Sequence, residues 1–491
     1  MRTLLWLLAI GLPLNGLAYT PDLSTLSGVP RLQLDAAQVQ TALNSLNDDA
    51  RHYAVAQSVD AGTESGNWTQ GSDGLWHWRL RVVSSDAVSL AARIDALQLP
   101  EGAELWFYTS KGEDLQGPYS SSDNGELWTA LVRSEEAVLD ARMPDSARAA
   151  FAVHLAQVFH GYRSFSEAYP AKSAFGTSGA CTVDVACPAG DGWRDEIRST
   201  VLLTIGGTTL CSGNLINNTA QDNRALVLTA NHCGLNALNV ASSRAYFNVQ
   251  KSACASGSEG SVKQNIAGRR LLASSASGTR SDYSLFELRS VPPGSYQVFY
   301  AGWDVSGVAP SSGVGISHPA GDDKKIAVFD SGAQAVSDLC VGSLVGATCT
   351  GFSIDAWAVR WTLGDTEGGS SGSGLWSQNH RIVGTLTTGN SACMGSVNNN
   401  GGTDYYARLD RAWTALSSTG STLKQVLDAN GSGCTNLAGR DAASNSSACA
   451  SSASTASSSG ASAAATSGGG GSAGGLLPLL GLLLLRRRRM N

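Results

Sequence analysis

Leu228-Thr229-Ala230-Asn231-His232-Cys233 is the stretch on which the reading of this chain turns. An apolar run ends, the chain turns at Asn231, and an imidazole is presented with a cysteine directly behind it. A general base has to be held in one tautomer and one orientation, within hydrogen-bond reach of the group it deprotonates. A strand that runs into a short turn, pinned by a disulfide at the next residue, supplies that rigidity. Cys211, upstream on the preceding strand, is the natural partner of Cys233. A lone histidine is more often structural, but this setting makes His232 a candidate base.

Two downstream stretches complete a hydrolytic set. In Ser281-Asp282-Tyr283-Ser284-Leu285-Phe286-Glu287-Leu288 a carboxylate heads an apolar strand. Buried against an imidazole, Asp282 would orient the ring and stabilise its protonated form. In Glu367-Gly368-Gly369-Ser370-Ser371-Gly372-Ser373-Gly374 the glycines allow a tight turn whose main-chain N–H groups can converge on a developing oxyanion. Ser371 is then the nucleophile, with the N–H groups of Gly369 and Ser371 as oxyanion donors. The chain order His, Asp, Ser is that of chymotrypsin-type enzymes.

Around these stretches lie short segments such as Ser199–Ile205, Ala225–Thr229 and Ile382–Thr387, separated by glycine-rich turns. They predict an antiparallel barrel or sandwich without crossover helices. One short helix is expected near Thr422–Leu427. Ahead of them, residues 19–172 hold alternating segments, Leu75–Val83 and Glu104–Tyr108, that read as half-buried strands. A helix is expected over Ala87–Leu97. This unit has no cysteine and no evident chemistry, and is read as a β-rich pro-region. A permanent binding module using its Trp and Tyr residues is the alternative.

Composition narrows the function classes. The chain has 491 residues and 42% apolar content, enough for several cores. Charged residues make up 15%, against about 25% in ordinary domains. A net charge of −6 supplies no basic surface for nucleic acid. Seven histidines without an HExxH pair give no support to a zinc hydrolase, and no metal or cofactor is expected. Arg2, the apolar stretch Leu4–Leu14 and Gly16-Leu17-Ala18 form a secretory signal over residues 1–18. In an exported chain the ten cysteines imply disulfides. The first of them, Cys181, marks a boundary near residue 173. The Ser/Ala/Gly-rich run that follows cannot bury a core and reads as a linker over 431–475. It leads to a short leucine run and four arginines over 476–491.

The segment from Cys181 to about Val426 resembles the bacterial lysyl endopeptidases, a branch of the trypsin-like serine peptidases. The resemblance is carried by Ala180-Cys181-Thr182-Val183-Asp184-Val185-Ala186-Cys187-Pro188, by TANHCG and by SDYSLFEL. It continues through Ala301-Gly302-Trp303-Asp304, Ser317-His318-Pro319, GSSGS at 369–373 and Thr403-Asp404-Tyr405-Tyr406-Ala407-Arg408. It implies an all-β, double antiparallel β-barrel over 173–430, with the active site between the barrels. It also implies the bridges Cys181–Cys393, Cys187–Cys254 and Cys211–Cys233. Cys340 and Cys349 lie close enough to close a local loop, and Cys434 and Cys449 are left as a fifth pair. In this branch a carboxylate at the position of Asp404 lies at the base of the primary pocket and pairs with a substrate ammonium. Asp365 stands where trypsin carries its own pocket acid and is the second candidate.

Two departures matter. Thr387 stands where the branch has a supporting His, which opens the pocket reading to Arg as well as Lys. Ser370 precedes the nucleophile where trypsin has an Asp that receives its freed N-terminus, so activation by that ion pair is not available. Lys172 is an attractive self-cleavage point. His318 and His380 are read as a structural residue and a solvated turn residue.

The tail, Gly474-Gly475 with the leucine run and arginines, resembles the GlyGly C-terminal sorting signal of Gram-negative bacteria. That implies processing by a rhomboid-type protease and display or release at the cell surface after export through the periplasm. The expected protein is a secreted, monomeric serine endopeptidase acting on protein or peptide substrates. A catalytically silent peptidase-fold binding protein and a surface adhesin are the alternatives.

Overall fold

The computed structural model describes residues 19–46, 51–163 and 178–451, apart from 347, 396, 397 and 445–448. The expected signal segment, Lys172 and the sorting tail lie outside the described residues. Among the described residues, no helix is long and apolar enough to cross a membrane.

Residues 31–161 form two facing antiparallel-rich sheets. One runs Arg31–Gln33, Trp76–Val83, Glu136–Met143, Glu104–Thr109, Gln116–Tyr119, with Asn67–Gln70 paired to Trp76–Val83. The other runs Ala54–Gly62, Ala152–Gly161, Ser89–Gln98, Gly125–Trp128. Trp78, Leu80, Leu90, Ile94, Leu105, Phe107, Leu139 and Val158 fill the space between them.

The helix expected over Ala87–Leu97 is a strand, Ser89–Gln98. Its sequence, Ser-Leu-Ala-Ala-Arg-Ile-Asp-Ala-Leu-Gln, spaces Leu90, Ile94 and Leu97 as a helix would, and its alanines favour one. The same residues also fit a strand, with Leu90, Ala92 and Ile94 on the core side. Pairing on both edges, to Ala152–Gly161 and Gly125–Trp128, satisfies the backbone and overrides local preference. A register shift between Ile94 and Leu97 brings Leu97 back to the core.

The cysteine-bearing part begins with a closed barrel of Thr200–Ile205, Thr209–Leu215, Leu226–Thr229, Ser284–Leu288, Asn265–Ser274 and Arg244–Tyr246. Its interior is apolar, with Val201, Leu203, Leu215, Val227 and Phe286. The second half is an extended antiparallel-rich sheet through Lys325–Phe329, Gly313–Ser317, Gly374–Ser377 and Ile382–Gly389, with Asp404–Arg408 paired to the last. Trp303, Ile316, Trp376 and Ile382 lie in its core. The short helix Leu423–Leu427 begins with a capping box, the Thr422 hydroxyl taking the Gln425 N–H.

The expected end of this region at residue 430 falls short. Cys434–Leu437 pairs with Trp303–Asp304 in the same sheet, because Leu437 is apolar and buried there. Five disulfides are formed: Cys181–Cys393, Cys187–Cys254, Cys211–Cys233, Cys340–Cys349 and Cys434–Cys449, the last a pairing that the sequence left open.

The N-terminal sandwich is seated on the barrel. Tyr53, Leu131 and Phe159 pack with Leu202, Leu210, Tyr246 and Val262. The backbone continues the contact, Leu210 N–H donating to Arg51 C=O at 2.8 Å and Tyr53 N–H to Thr208 C=O at 2.9 Å. The Arg51 guanidinium reaches the His232 carbonyl.

Candidate active site

The register of two barrel strands brings His232 and Asp282 together. Thr229 pairs with Ser284, so the turn after the first strand faces the residues that precede the second. His232 sits in the single helical turn Asn231–Cys233, closed by Gly234 in the left-handed region at φ 83°. The Ser274 hydroxyl donates to Asn231 Oδ1 at 2.6 Å and holds that turn against the barrel.

Asp282 Oδ2 lies 2.6 Å from His232 Nδ1, and Asp282 Oδ1 accepts the His232 N–H at 2.9 Å. With Nδ1 carrying the proton toward the carboxylate, Nε2 is left as the acceptor. Asp282 is buried, which by itself raises its carboxyl. The charge of His232 and hydrogen bonds from its ring, its N–H and Thr387 outweigh that effect and hold Asp282 below the usual carboxylate range. The carboxylate therefore stays ionised where it is needed. The Thr385 hydroxyl donates to the Asp282 carbonyl at 2.8 Å, tying the second sheet to the same residue.

Ser371 lies in the turn before Gly374–Ser377. Gly369 and Gly372 hold φ of 96° and 82°. A Cβ at 372 would come within 2.1 Å of Thr229 Oγ1, so the glycine lets this turn close on the strand that leads to His232. Ser371 C=O lies 3.8 Å from Cys233 Sγ, beside the imidazole residue. Among the described residues no hydrogen bond joins the Ser371 hydroxyl to His232; such bonds tighten in the substrate complex. The N–H groups of Gly369 and Ser371 donate to no backbone carbonyl among the described residues.

Ser212, which sequence reasoning left aside, holds this turn together with His318. Ser212 N–H donates to Ser371 C=O at 2.8 Å, and its hydroxyl donates to Gly369 C=O at 2.9 Å. His318 N–H donates to the same hydroxyl at 2.9 Å. Nothing in Leu210-Cys211-Ser212-Gly213 sets this serine apart; its role depends on chain brought in from far away.

His318, expected to be structural, is fully buried, with Nδ1 2.9 Å from the Asp322 carbonyl. Burial, helped by nearby Lys324, pushes its pKa down to about 3. The folded protein thus keeps His318 neutral while the unfolded chain takes up a proton below pH ~6.5. Stability from this group is complete above pH ~6.5 and is lost as pH falls toward 3. The urea midpoint is expected to fall on acidification from pH 6.5 to 4, and more shallowly in His318→Asn. Equal slopes in both proteins would remove His318 as a cause.

His380 is the exposed turn residue expected, with partners on one side. Its ring stacks on Trp193 at 4.3 Å and its Nδ1 lies 3.1 Å from the buried Glu196 carboxylate, a partner far away in sequence.

A cleft of about 270 Å³ opens beside Ser371, lined by Thr366, Glu367, Leu386–Gly389, Ser391 and Asp404 among others. Asp404 is 1% exposed at its wall. Its Oδ2 accepts from Trp361 Nε1, the Thr366 hydroxyl and the Ser391 hydroxyl, each at 2.6 Å. Asp365 is also buried but does not line the cleft. Its Oδ1 has no hydrogen-bond partner, and burial, with Asp404 adding repulsion, raises its carboxyl above the usual range. Of the two candidate acids, Asp404 therefore faces the cleft and Asp365 stands behind it. Cys181, Asp365 and Cys393 cluster closely enough to suggest a metal-ligand set. Both sulfurs are spent in a disulfide, which leaves no thiolate to coordinate.

Residues 175–407 match the family described as Lysyl endopeptidase, C-terminal domain. A curated Lysyl endopeptidase of Pseudomonas aeruginosa is 27% identical over 379 residues, covering 71% of this chain and 76% of the relative. Among solved structures, the Rv3671c protease of M. tuberculosis in its active form aligns at 14% identity, over 50% of this chain and 90% of that one, with a TM-score of 0.31. A Glu endopeptidase aligns at 19% identity, over 48% and 93%, with a TM-score of 0.29.

Proposed function

We propose that this chain, a serine endopeptidase with a lysyl endopeptidase among its relatives, cleaves peptide bonds after Lys, and also after Arg, through a His232–Asp282–Ser371 triad. The observation that carries this reading is the pairing of His232 with a buried, ionised Asp282 beside a cleft that holds both Ser371 and Asp404.

Ser371 Oγ attacks the scissile carbonyl while His232 Nε2 takes its proton. Asp282 holds the ring and stabilises the imidazolium. The N–H groups of Gly369 and Ser371 receive the oxyanion. The imidazolium then protonates the leaving amine, an acyl-enzyme remains, and water activated by His232 hydrolyses it. The substrate ammonium sits toward Asp404, whose Oδ2 accepts three short bonds and whose Oδ1 accepts the Ser391 N–H at 3.4 Å.

In this reading residues 19–172 are a pro-region, removed by cleavage ahead of the Cys181 segment, with Lys172 as a self-cleavage point. The mature enzyme works as a monomer outside the cell, delivered through the periplasm of a Gram-negative bacterium and released after rhomboid-type processing of the tail.

The test is labelling of the purified protein with a fluorophosphonate. Wild type is expected to take one label that Ser371→Ala abolishes, and a digested peptide mixture to show cuts after Lys and Arg. Absence of label, or equal labelling of the variant, would end the enzyme reading. Cuts after other residues would end the assignment of the pocket.

A further inference from the structure

The residue before the nucleophile is Ser370, so the salt bridge that orders the oxyanion turn in trypsin has no counterpart here, and something else must hold that turn. Gly179 N–H donates to Glu367 Oε1 at 2.7 Å, across 188 residues of sequence. Glu367 begins the nucleophile turn. Its carbonyl accepts the Ser370 N–H at 2.9 Å, and its own N–H donates to the Ser370 hydroxyl at 3.3 Å. One residue on, Gly368 C=O accepts the Ala320 N–H at 2.6 Å.

The Gly179 end is equally fixed. The Ser178 hydroxyl donates to the fully buried Asp322 at 2.5 Å, and Cys181 is bridged to Cys393. A Cβ at 179 would meet Cys393 Sγ at 2.5 Å and Glu367 Oε1 at 2.7 Å. Only glycine lets the backbone N–H come this close to the carboxyl.

Resting on the triad reading above, we propose that Glu367 is a positioning residue: by accepting the Gly179 N–H it clamps the oxyanion turn to the segment that follows the N-terminal sandwich. What the clamp requires is an acceptor oxygen at that reach, and not a negative charge. Burial pushes the Glu367 carboxyl above its ordinary range. The competing role for a carboxyl that lines the cleft is attraction of a cationic substrate.

Three variants separate the two roles in the mature protein. Glu367→Gln keeps the reach and loses the charge. Glu367→Asp keeps the charge and loses the reach. Gly179→Ala breaks the link from the other side. The readouts are the rate of fluorophosphonate labelling, and kcat and KM on a lysyl peptide.

The clamp predicts near wild-type values for Glu367→Gln. It predicts losses of ~10–100-fold in labelling rate and kcat, with KM little changed, for Glu367→Asp and Gly179→Ala. The double variant Glu367→Asp/Gly179→Ala should be no slower than the worse single, because both remove one link. If Gly179→Ala does not fold, the Gln and Asp variants decide alone. A fast Glu367→Asp with a raised KM in Glu367→Gln overturns the proposal in favour of the charge role, and wild-type rates throughout overturn it as well. Folded wild type that takes no label would instead sink the triad reading beneath it.

Discussion

Replacing His232 by alanine is expected to lower kcat by ~10⁶, the scale set by removing one member of a working triad. The loss is this large because the Ser371 hydroxyl is a weak nucleophile until a base removes its proton. Within residues 178–451 the other two imidazoles are engaged elsewhere: His318 is buried behind the turn with its Nδ1 beside the Asp322 carbonyl, and His380 lies against Trp193 and Glu196. Ser371→Ala should cost about as much, and the double variant little more, since either change removes the same unit. Thermal melts should fall below wild type while the protein still folds, because removing the ring leaves the buried Asp282 carboxylate without its partner. A residual rate well above the expected floor in His232→Ala, with the protein folded, would mean that another group serves as base.

The second large effect belongs to Asp404. Its carboxylate is buried and held by Trp361, Thr366 and Ser391. Under the proposed assignment, a substrate ammonium without Asp404 loses its charge partner in the cleft, at a cost of ~3–5 kcal/mol. That corresponds to a fall of about 10²–10⁴ in kcat/KM on lysyl substrates. Asp404→Asn is the cleanest variant, since it keeps an acceptor for the three donors. Labelling of Ser371 by a small uncharged fluorophosphonate should survive, because that probe does not enter the pocket as a cation. Asp365→Asn serves as the comparison and should change lysyl cleavage little, because Asp365 does not line the cleft. If Asp365→Asn abolishes lysyl cleavage while Asp404→Asn spares it, the roles are reversed.

The reach of sequence reading differs between neighbouring residues for identifiable reasons. His232 is legible because a cysteine follows it and an apolar run precedes it. Ser371 is legible because glycines surround it, and Asp282 because it heads an apolar strand. Each is marked by its covalent neighbours. Ser212, Thr387 and Glu367 carry no such mark. Ser212 meets Gly369 across 157 residues, and only the folded path brings them into contact. Ser89–Gln98 was ambiguous for another reason: its apolar spacing suits both a helix and a strand, and the strands paired along both edges decide between them.

The amino-acid sequence by itself determined the order and kind of the chemical groups, the disulfide-bearing region and its all-β character. These follow from residue type and short-range periodicity, which are properties of the chain before it folds. Tertiary structure alone decided which of two acidic residues faces the cleft, which distant groups hydrogen-bond the turn around Ser371, and where the second sheet ends. Each of those depends on hydrogen bonds and burial between segments far apart in sequence, and such contacts exist only once the barrel and the second sheet have closed on one another.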